Sequence, residues 1–427
     1  MDSLGIPGLL VPCPTAEEIL AESPEKVAGE YSMYDGAPAP RITAPPRGYK
    51  PFYISHIGRH GARYALDEEV YEHILGLLND AHETGVLTVD GEGLRDRYIE
   101  IYPLVEHRGG DLSLIGQEQQ RFIARTMYSC FPEVFRGKTY AVATSTHILR
   151  SVMSMQAFMD ELRVLDRSFD FSADAGVRYL QVLNPNTSKN PKRVRTVVPP
   201  EALEMAKEFQ RSQFDFEDFC KRYFTSVSFV EEHYGNAGEF AFAMRNIVLA
   251  FAGIGQGLGI GEVFTEEEML GLWKVHNYNG YLVMGRSPQG GGLSCMTLYT
   301  VLEDILASTE RDIEQGDVQL RLRFSHDTAV LPLVSLLRVN NFGVELSDPS
   351  LVADYWPSHL IPMACNLQII VYHKGHSSSE MLVKLLYDGS EGTLPLEEVC
   401  EGFYSWDDFR AYSLSVIDEA RERLGVN

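Results

Sequence analysis

The chain has 427 residues, of which 44% are hydrophobic and 23% charged, and a formal net charge of −23. That length allows two or three domains, or one large domain with an insertion, and a core that needs neither disulfide nor metal to fold. The acidic balance excludes a generic nucleic-acid binder, which needs a basic footprint, and no run of 18 apolar residues offers a membrane span.

In chain order, residues 1–48 are rich in Pro and Gly (Pro38, Pro40, Pro45, Pro46) and read as an extended lead-in with one short helix near 16–20. The first residues, 1–14, carry no basic n-region. They read either as a cytoplasmic start or as a chain numbered after a removed leader. Residues 51–57 form an apolar run that reads as a buried strand, ending in the turn 58–61. A helix follows, with Asp67, Glu68 and Glu69 in its first turn and Ile74, Leu75, Leu77 and Leu78 as its apolar stripe. A second strand is predicted at 139–144, leading into a helix at 149–162. A third, at 319–324, alternates cleanly and ends at Ser325-His326-Asp327, with a helix beginning near Thr328. Residues 366–373 and 380–387 read as a hairpin around 376–379.

Three strand–loop–helix units with polar loops predict an α/β fold, a mixed central sheet flanked by helices, with a ligand site at the carboxyl ends of the strands. Residues 166–284 differ: they are aromatic-rich and helical in pattern, and they carry a Gly-rich piece at 253–261. They read as an inserted, mostly helical cap. The core is then 49–165 and 285–427.

The first loop places two guanidiniums around one imidazole: Arg59-His60-Gly61-Ala62-Arg63. Arginine offers a planar fork suited to phosphate oxygens, Gly61 permits close backbone approach or a positive φ, and the next helix aims its N-terminus at the same place. The same residues also suit a structural loop paired to acids. The second loop supplies Arg150 and the third His326-Asp327, a pair fit for acid–base chemistry, although Asp327 would equally cap the helix that follows. Converged at one sheet edge, these residues fit phosphoryl transfer. His60 would attack phosphorus, Arg59, Arg63, Arg150 and His326 would hold the non-bridging oxygens, and Asp327 would protonate the leaving group.

Arg59-His60-Gly61-x-Arg63 resembles the signature of the histidine phosphatase superfamily, in its acid-phosphatase branch. His326-Asp327 matches that branch's distal H-D motif. Arg150, in Leu149-Arg-Ser-x-x-Ser154, looks like its third arginine, and Leu112-Ser-x-x-Gly116-Gln117 resembles its L-T-x-x-G-x-x-Q element. Tyr64 stands where the branch usually has Pro. That change and residues 50–56 look like the Bacteroides-type inositol polyphosphate phosphatases, although relatives there often carry H-A-E in place of His326-Asp327. The resemblance implies a phosphomonoesterase with a phosphohistidine intermediate, no metal or other cofactor, a small phosphate monoester as its partner, and an exported location, periplasmic or secreted. Inositol polyphosphates such as phytate are the implied substrates. A broad-specificity or sugar-phosphate acid phosphatase and a non-catalytic inositol-phosphate binder are the alternatives. Lys189, Lys192, Arg193 and Arg195, four cations in seven residues, read as contacts for further phosphates or as a solvated loop, and Asp111 and residues 354–356 as candidates for the mouth.

Other motifs fail. Pro132 stands where a P-loop ending at 137–139 needs its first glycine. Residues 253–261 never satisfy G-x-G-x-x-G, and H-E-x-x-H and G-x-S-x-G are missing. The six cysteines form no C-x-x-C pair and read mainly as small buried hydrophobes, with pairing left open.

Overall fold

The computed structural model describes residues 8, 10, 11, 13–22, 42–356, 358, 361–375 and 377–426. The predicted hairpin tip at His376 lies outside them, as do Pro38 and Pro40 in the lead-in.

Eight strands form one mixed sheet: β1 (Tyr49–Arg59), β2 (Tyr140–Ser145), β3 (Asp170–Ala175), β4 (Leu320–Ser325), β5 (Asn366–Lys374), β6 (Ser377–Tyr387), β7 (Ser390–Glu391) and β8 (Tyr404–Ser405). Their order is β3-β2-β4-β1-β5-β6-β7, with β8 paired to β6. β3, β2, β4 and β1 run parallel, while β5 and β6 add antiparallel strands beyond β1. β1 is buried continuously from Tyr53 to Arg59, as befits a strand covered on both faces. Tyr53 and Ile57 face one apolar cluster, shared with the helices Tyr299–Gln315, Asp327–Leu336 and Trp406–Leu424. Ile54 faces the other, shared with Leu114–Cys130 and Leu149–Leu165. The alternation along β1 therefore joins two helical layers through one sheet.

The predicted strands at 139–144 and 319–324 are found one residue later. β3 was not predicted, and its sequence explains why. Asp170-Phe-Ser-Ala-Asp-Ala175 is almost wholly exposed and pairs only with β2, so it carries no buried stripe to read. It lies inside the stretch expected to be the cap, and the sheet therefore extends into that stretch.

A third apolar cluster lies outside the sheet. It unites the helices Glu68–Glu83 and Val89–Val105 with Phe216–Tyr223, Ala237–Ile254 and the first half of Glu266–Met284. The helical layer thus draws on two separated stretches of sequence. Ala16 and Ile19 of the short helix Ala16–Glu22 are buried in the same cluster. Ala237–Ile254, with mean hydropathy 1.3, is the one described helix long and apolar enough to cross a membrane; two thirds of it (67%) is buried inside the protein. Glu239, Arg245 and Asn246 interrupt its apolar run, which is why no span was read there.

Beneath the carboxyl end of β1, His56 is fully buried between Phe158 and Phe324, with ring centroids at 5.4 and 5.5 Å. Neither ring nitrogen has a hydrogen-bond partner among the described residues. Burial, aided by the Arg323 charge, pushes its pKa from 6.5 to about 3. Below pH 6.5 the unfolded chain takes up a proton that the folded chain resists, so stability is greatest above that pH and falls as pH drops towards 3. This one group should remove about 3 kcal/mol by pH 4. Thermal unfolding of His56→Leu between pH 7 and 4 should show a shallower loss of stability than wild type; parallel curves would contradict the assignment.

Candidate active site

Parallel pairing sets the ends of three strands side by side. Arg59 pairs with Ser325, and Ser145 with Phe324. The loops that follow β1, β2 and β4 therefore meet at one edge, and they carry all six residues singled out in the sequence.

His60 is fixed through its backbone. Its N–H donates to the Ser325 carbonyl at 3.0 Å, and its carbonyl accepts from the Ala364 N–H at 3.0 Å. Its Nδ1 lies 2.9 Å from the Gly61 carbonyl. A carbonyl only accepts, so Nδ1 carries the proton and the lone pair is on Nε2. Burial holds the His60 pKa well below 6.5, and the charges of Arg150, Arg59 and Arg63, with His326, add to the effect. The imidazole is therefore neutral, with its lone pair on Nε2.

Arg59 is fully buried. Its Nη2 donates to Asp327 Oδ2 at 2.6 Å and its Nη1 to the Ile361 carbonyl at 3.3 Å. Arg63 is also buried, with Nη1 donating to the Tyr64 carbonyl at 2.9 Å. Arg150 is half-buried in the first turn of Leu149–Leu165, and its charge is the strongest of those acting on both His60 and His326. The ring centroids of His60 and His326 are 5.4 Å apart. Burial and then the Arg150 charge lower the His326 pKa to about 4, with nearby Asp327 opposing. Asp327 does not occupy the cap position. His326 does, and Asp327 is the first helical residue, with Oδ1 accepting the Thr328 N–H at 2.7 Å.

A ring of neutral polar groups, to which the sequence reading gave no role, holds the 59–63 loop. Gln119 Oε1 accepts the Ala62 N–H at 2.8 Å, and Ser154 Oγ accepts the Gly61 N–H at 3.1 Å. Gln120 Nε2 donates to the Arg59 carbonyl at 2.9 Å. The Ala62 carbonyl accepts from both the N–H and the hydroxyl of Ser113, which also caps Leu114–Cys130. Ser113, Gly116 and Gln119 are spaced three apart along one face, and in a helix with many other polar residues that spacing was the available signal. Gly61 is explained by close approach, since its φ is not positive. A Cβ there would lie 2.1 Å from the Gly116 carbonyl oxygen.

The basic segment leaves from the same floor. Ser325 Oγ donates to the Leu183 carbonyl at 2.5 Å, and Thr328 Oγ1 to Asn184 Oδ1 at 3.4 Å. Buried Asn190 folds the loop by donating to the Pro185 carbonyl at 2.9 Å and accepting the Lys192 N–H at 3.1 Å. Lys189, Lys192, Arg193 and Arg195 are exposed, and none is ion-paired among the described residues. Asp111 is paired with Arg108 at 2.8 Å. Asp354 holds the Ala16 N–H instead, and Trp356 is buried in the core, so the latter is not a mouth residue. No disulfide joins the six cysteines, and no group of three metal-ligating side chains is found, among the described residues.

An imidazole with a free Nε2 lone pair, set among guanidiniums beside a carboxyl group, can take a phosphoryl group and pass a proton. The family model of the histidine phosphatase superfamily (branch 2) matches residues 54–388. The chain belongs to this family and is a phosphatase. Its fold is similar to that of the Bifidobacterium longum multiple inositol polyphosphate phosphatase in complex with inositol hexasulfate, with TM-score 0.73, 15% identity, and 90% of this chain and 97% of that one covered. It is also similar to the D. castellii phytase (TM-score 0.65, 14% identity, 94% and 88% covered) and the Citrobacter braakii phytase (0.56, 15%, 88% and 100%). No curated protein sequence matches the chain. The mixed sheet flanked by helices is thus the expected fold class.

The Gly61–Gly116 approach gives a direct test. Gly61→Ala forces backbone against backbone, which no side-chain motion relieves, and should cost about 3 kcal/mol. A thermal unfolding midpoint unchanged from wild type would refute that contact.

Proposed function

We propose that the enzyme hydrolyses inositol polyphosphates, phytate among them, through a phosphohistidine at His60. The observation that carries this reading is the tautomer of His60. With Nδ1–H committed to the Gly61 carbonyl, Nε2 is the nucleophilic atom and needs no base to activate it. Nε2 attacks phosphorus, the P–N bond forms, and the P–O bond to the inositol breaks. Arg59, Arg63, Arg150 and His326 hold the non-bridging oxygens. Asp327 gives its proton to the leaving alkoxide, then takes one from the water that cleaves the P–N bond and restores His60. Asp327 Oδ2 is held by Arg59 Nη2 at 2.6 Å. A phosphate arriving on Arg59 competes for that partner and brings negative charge beside the carboxyl, and both changes favour the protonated donor.

The substrate class is supported by the exposed cations of residues 189–195, which follow Asn184, the partner of Thr328 next to Asp327. A monophosphate fills the catalytic cluster, whereas a ring bearing several phosphates extends towards that loop. The same class is named for the B. longum enzyme. In this reading the substrate lies between the α/β core (49–165 and 285–427) and the helical cap within 166–284, with β3 counted to the sheet. An exported location, periplasmic or secreted, belongs to the same proposal and rests on the resemblance.

Two experiments test it. Rapid alkaline quench of turnover followed by peptide mass spectrometry should find phosphate on His60. Asp327→Asn should slow inositol hexakisphosphate by about 10²-fold or more but para-nitrophenyl phosphate far less, because the latter's leaving group needs no proton. Phosphate on no histidine, or equal losses on both substrates, would overturn the mechanism. Separately, replacing Lys189, Lys192, Arg193 and Arg195 together by Gln should raise KM for inositol hexakisphosphate about tenfold or more and leave KM for para-nitrophenyl phosphate nearly unchanged. Equal changes would return the loop to a solvated surface.

A further inference from the structure

We infer that Thr146 is a positioning residue: its hydroxyl fixes His326 in the Nδ1–H tautomer, so that the ring offers an N–H donor to the phosphoryl group. The inference rests on the reading of His326 as a phosphate contact, and deepens it.

The argument is an accounting of hydrogens. Thr146 lies just past the end of β2, with no exposed surface, and its Oγ1 is 3.1 Å from His326 Nε2. Its backbone N–H is already used by the Phe324 carbonyl, and its carbonyl by the Ser145 hydroxyl. The hydroxyl has no other partner among the described residues. Were Nε2–H the donor, the threonine's own hydrogen would be buried without an acceptor, which native interiors avoid. With Thr146 donating to a bare Nε2, one bond satisfies both groups. The ring proton then sits on Nδ1, which has no hydrogen-bond partner among the described residues.

The location of that proton matters because the ring holds only one. Burial and the neighbouring arginines keep His326 neutral down to about pH 4. A neutral ring in the opposite tautomer would turn a lone pair towards the phosphoryl oxygens and repel them. His60 shares the Nδ1–H tautomer but uses the other end of its ring. Its Nδ1–H is spent on a carbonyl and its Nε2 faces the reaction, whereas at His326 Nε2 is spent on Thr146 and Nδ1–H is presented.

The first test reads the resting protein. In ¹⁵N-histidine spectra at pH 6, the His326 ring, identified by its loss in His326→Asn, should show a protonated Nδ1 and a bare Nε2. The second is kinetic. Thr146→Val, which keeps the shape and removes the hydroxyl, should lower kcat by about 10²-fold with little change in KM, since a transition-state donor is lost. Thr146→Ser should restore kcat to within a few fold. An Nε2–H ring in wild type, or a Thr146→Val enzyme with kcat within twofold of wild type, would overturn the inference. Should Thr146→Val fail to fold, the wild-type spectrum decides alone. The spectrum needs no substrate, so a failure to find phosphate on His60 would strike the proposed mechanism without touching the tautomer.

Discussion

Buried guanidinium groups are costly, because their charge is taken out of water. The catalytic edge of this protein buries two, Arg59 and Arg63, and half-buries a third, Arg150. Much of what surrounds them can be understood as the means of holding that charge in place. Arg59 has the Ile361 carbonyl as well as Asp327, and Arg63 has the Tyr64 carbonyl. Carbonyls satisfy N–H groups while leaving the positive charge to act on what binds. In a chain of net charge −23, this local excess is what gives an anionic phosphate a reason to enter. The loop that carries it is held by neutral groups, Gln119, Gln120, Ser113 and Ser154, so its backbone is positioned without adding a competing carboxylate.

The same charge decides the protonation of the histidines. A cationic ring beside guanidiniums in a dry site is disfavoured twice, by desolvation and by repulsion. His60 and His326 are therefore neutral well into acid, and each has a single proton whose place must be set by a neighbour. At His60 the neighbour is a backbone carbonyl, a fixed acceptor. At His326 it is a hydroxyl, which can give or take, and the choice follows from the surroundings of Thr146.

What the sequence made legible was the chemistry on strand ends. Arg59, His60, Arg63, Arg150, His326 and Asp327 each follow a strand whose apolar run or alternation is visible, and parallel pairing then brings the ends together. What it hid was of two kinds. β3 has no buried face, so no pattern marks it as a strand; it is held by its backbone bonds to β2. The polar groups that clamp the 59–63 loop lie on or just before helices with many other polar residues, so a buried glutamine such as Gln119 looks in sequence like any surface one. The helical layer was seen only in part, because an amphipathic stripe on Glu68–Glu83 reports that the helix packs but not that its partners include the distant helix Ala237–Ile254.

These features set two opposed responses to acid. In the proposed mechanism, a nucleophile kept neutral by burial and positive neighbours stays ready as pH falls. The fold does not. His56, His60 and His326 all resist protonation when folded and accept it when unfolded, so each withdraws stability below pH 6.5. His56 takes no part in the site and only adds to this loss, whereas His60 and His326 cannot be made easier to protonate without losing the lone pair or the set tautomer on which the proposed chemistry depends. In the proposed mechanism, the same burial that keeps His60 neutral for attack also limits how far the fold tolerates acid.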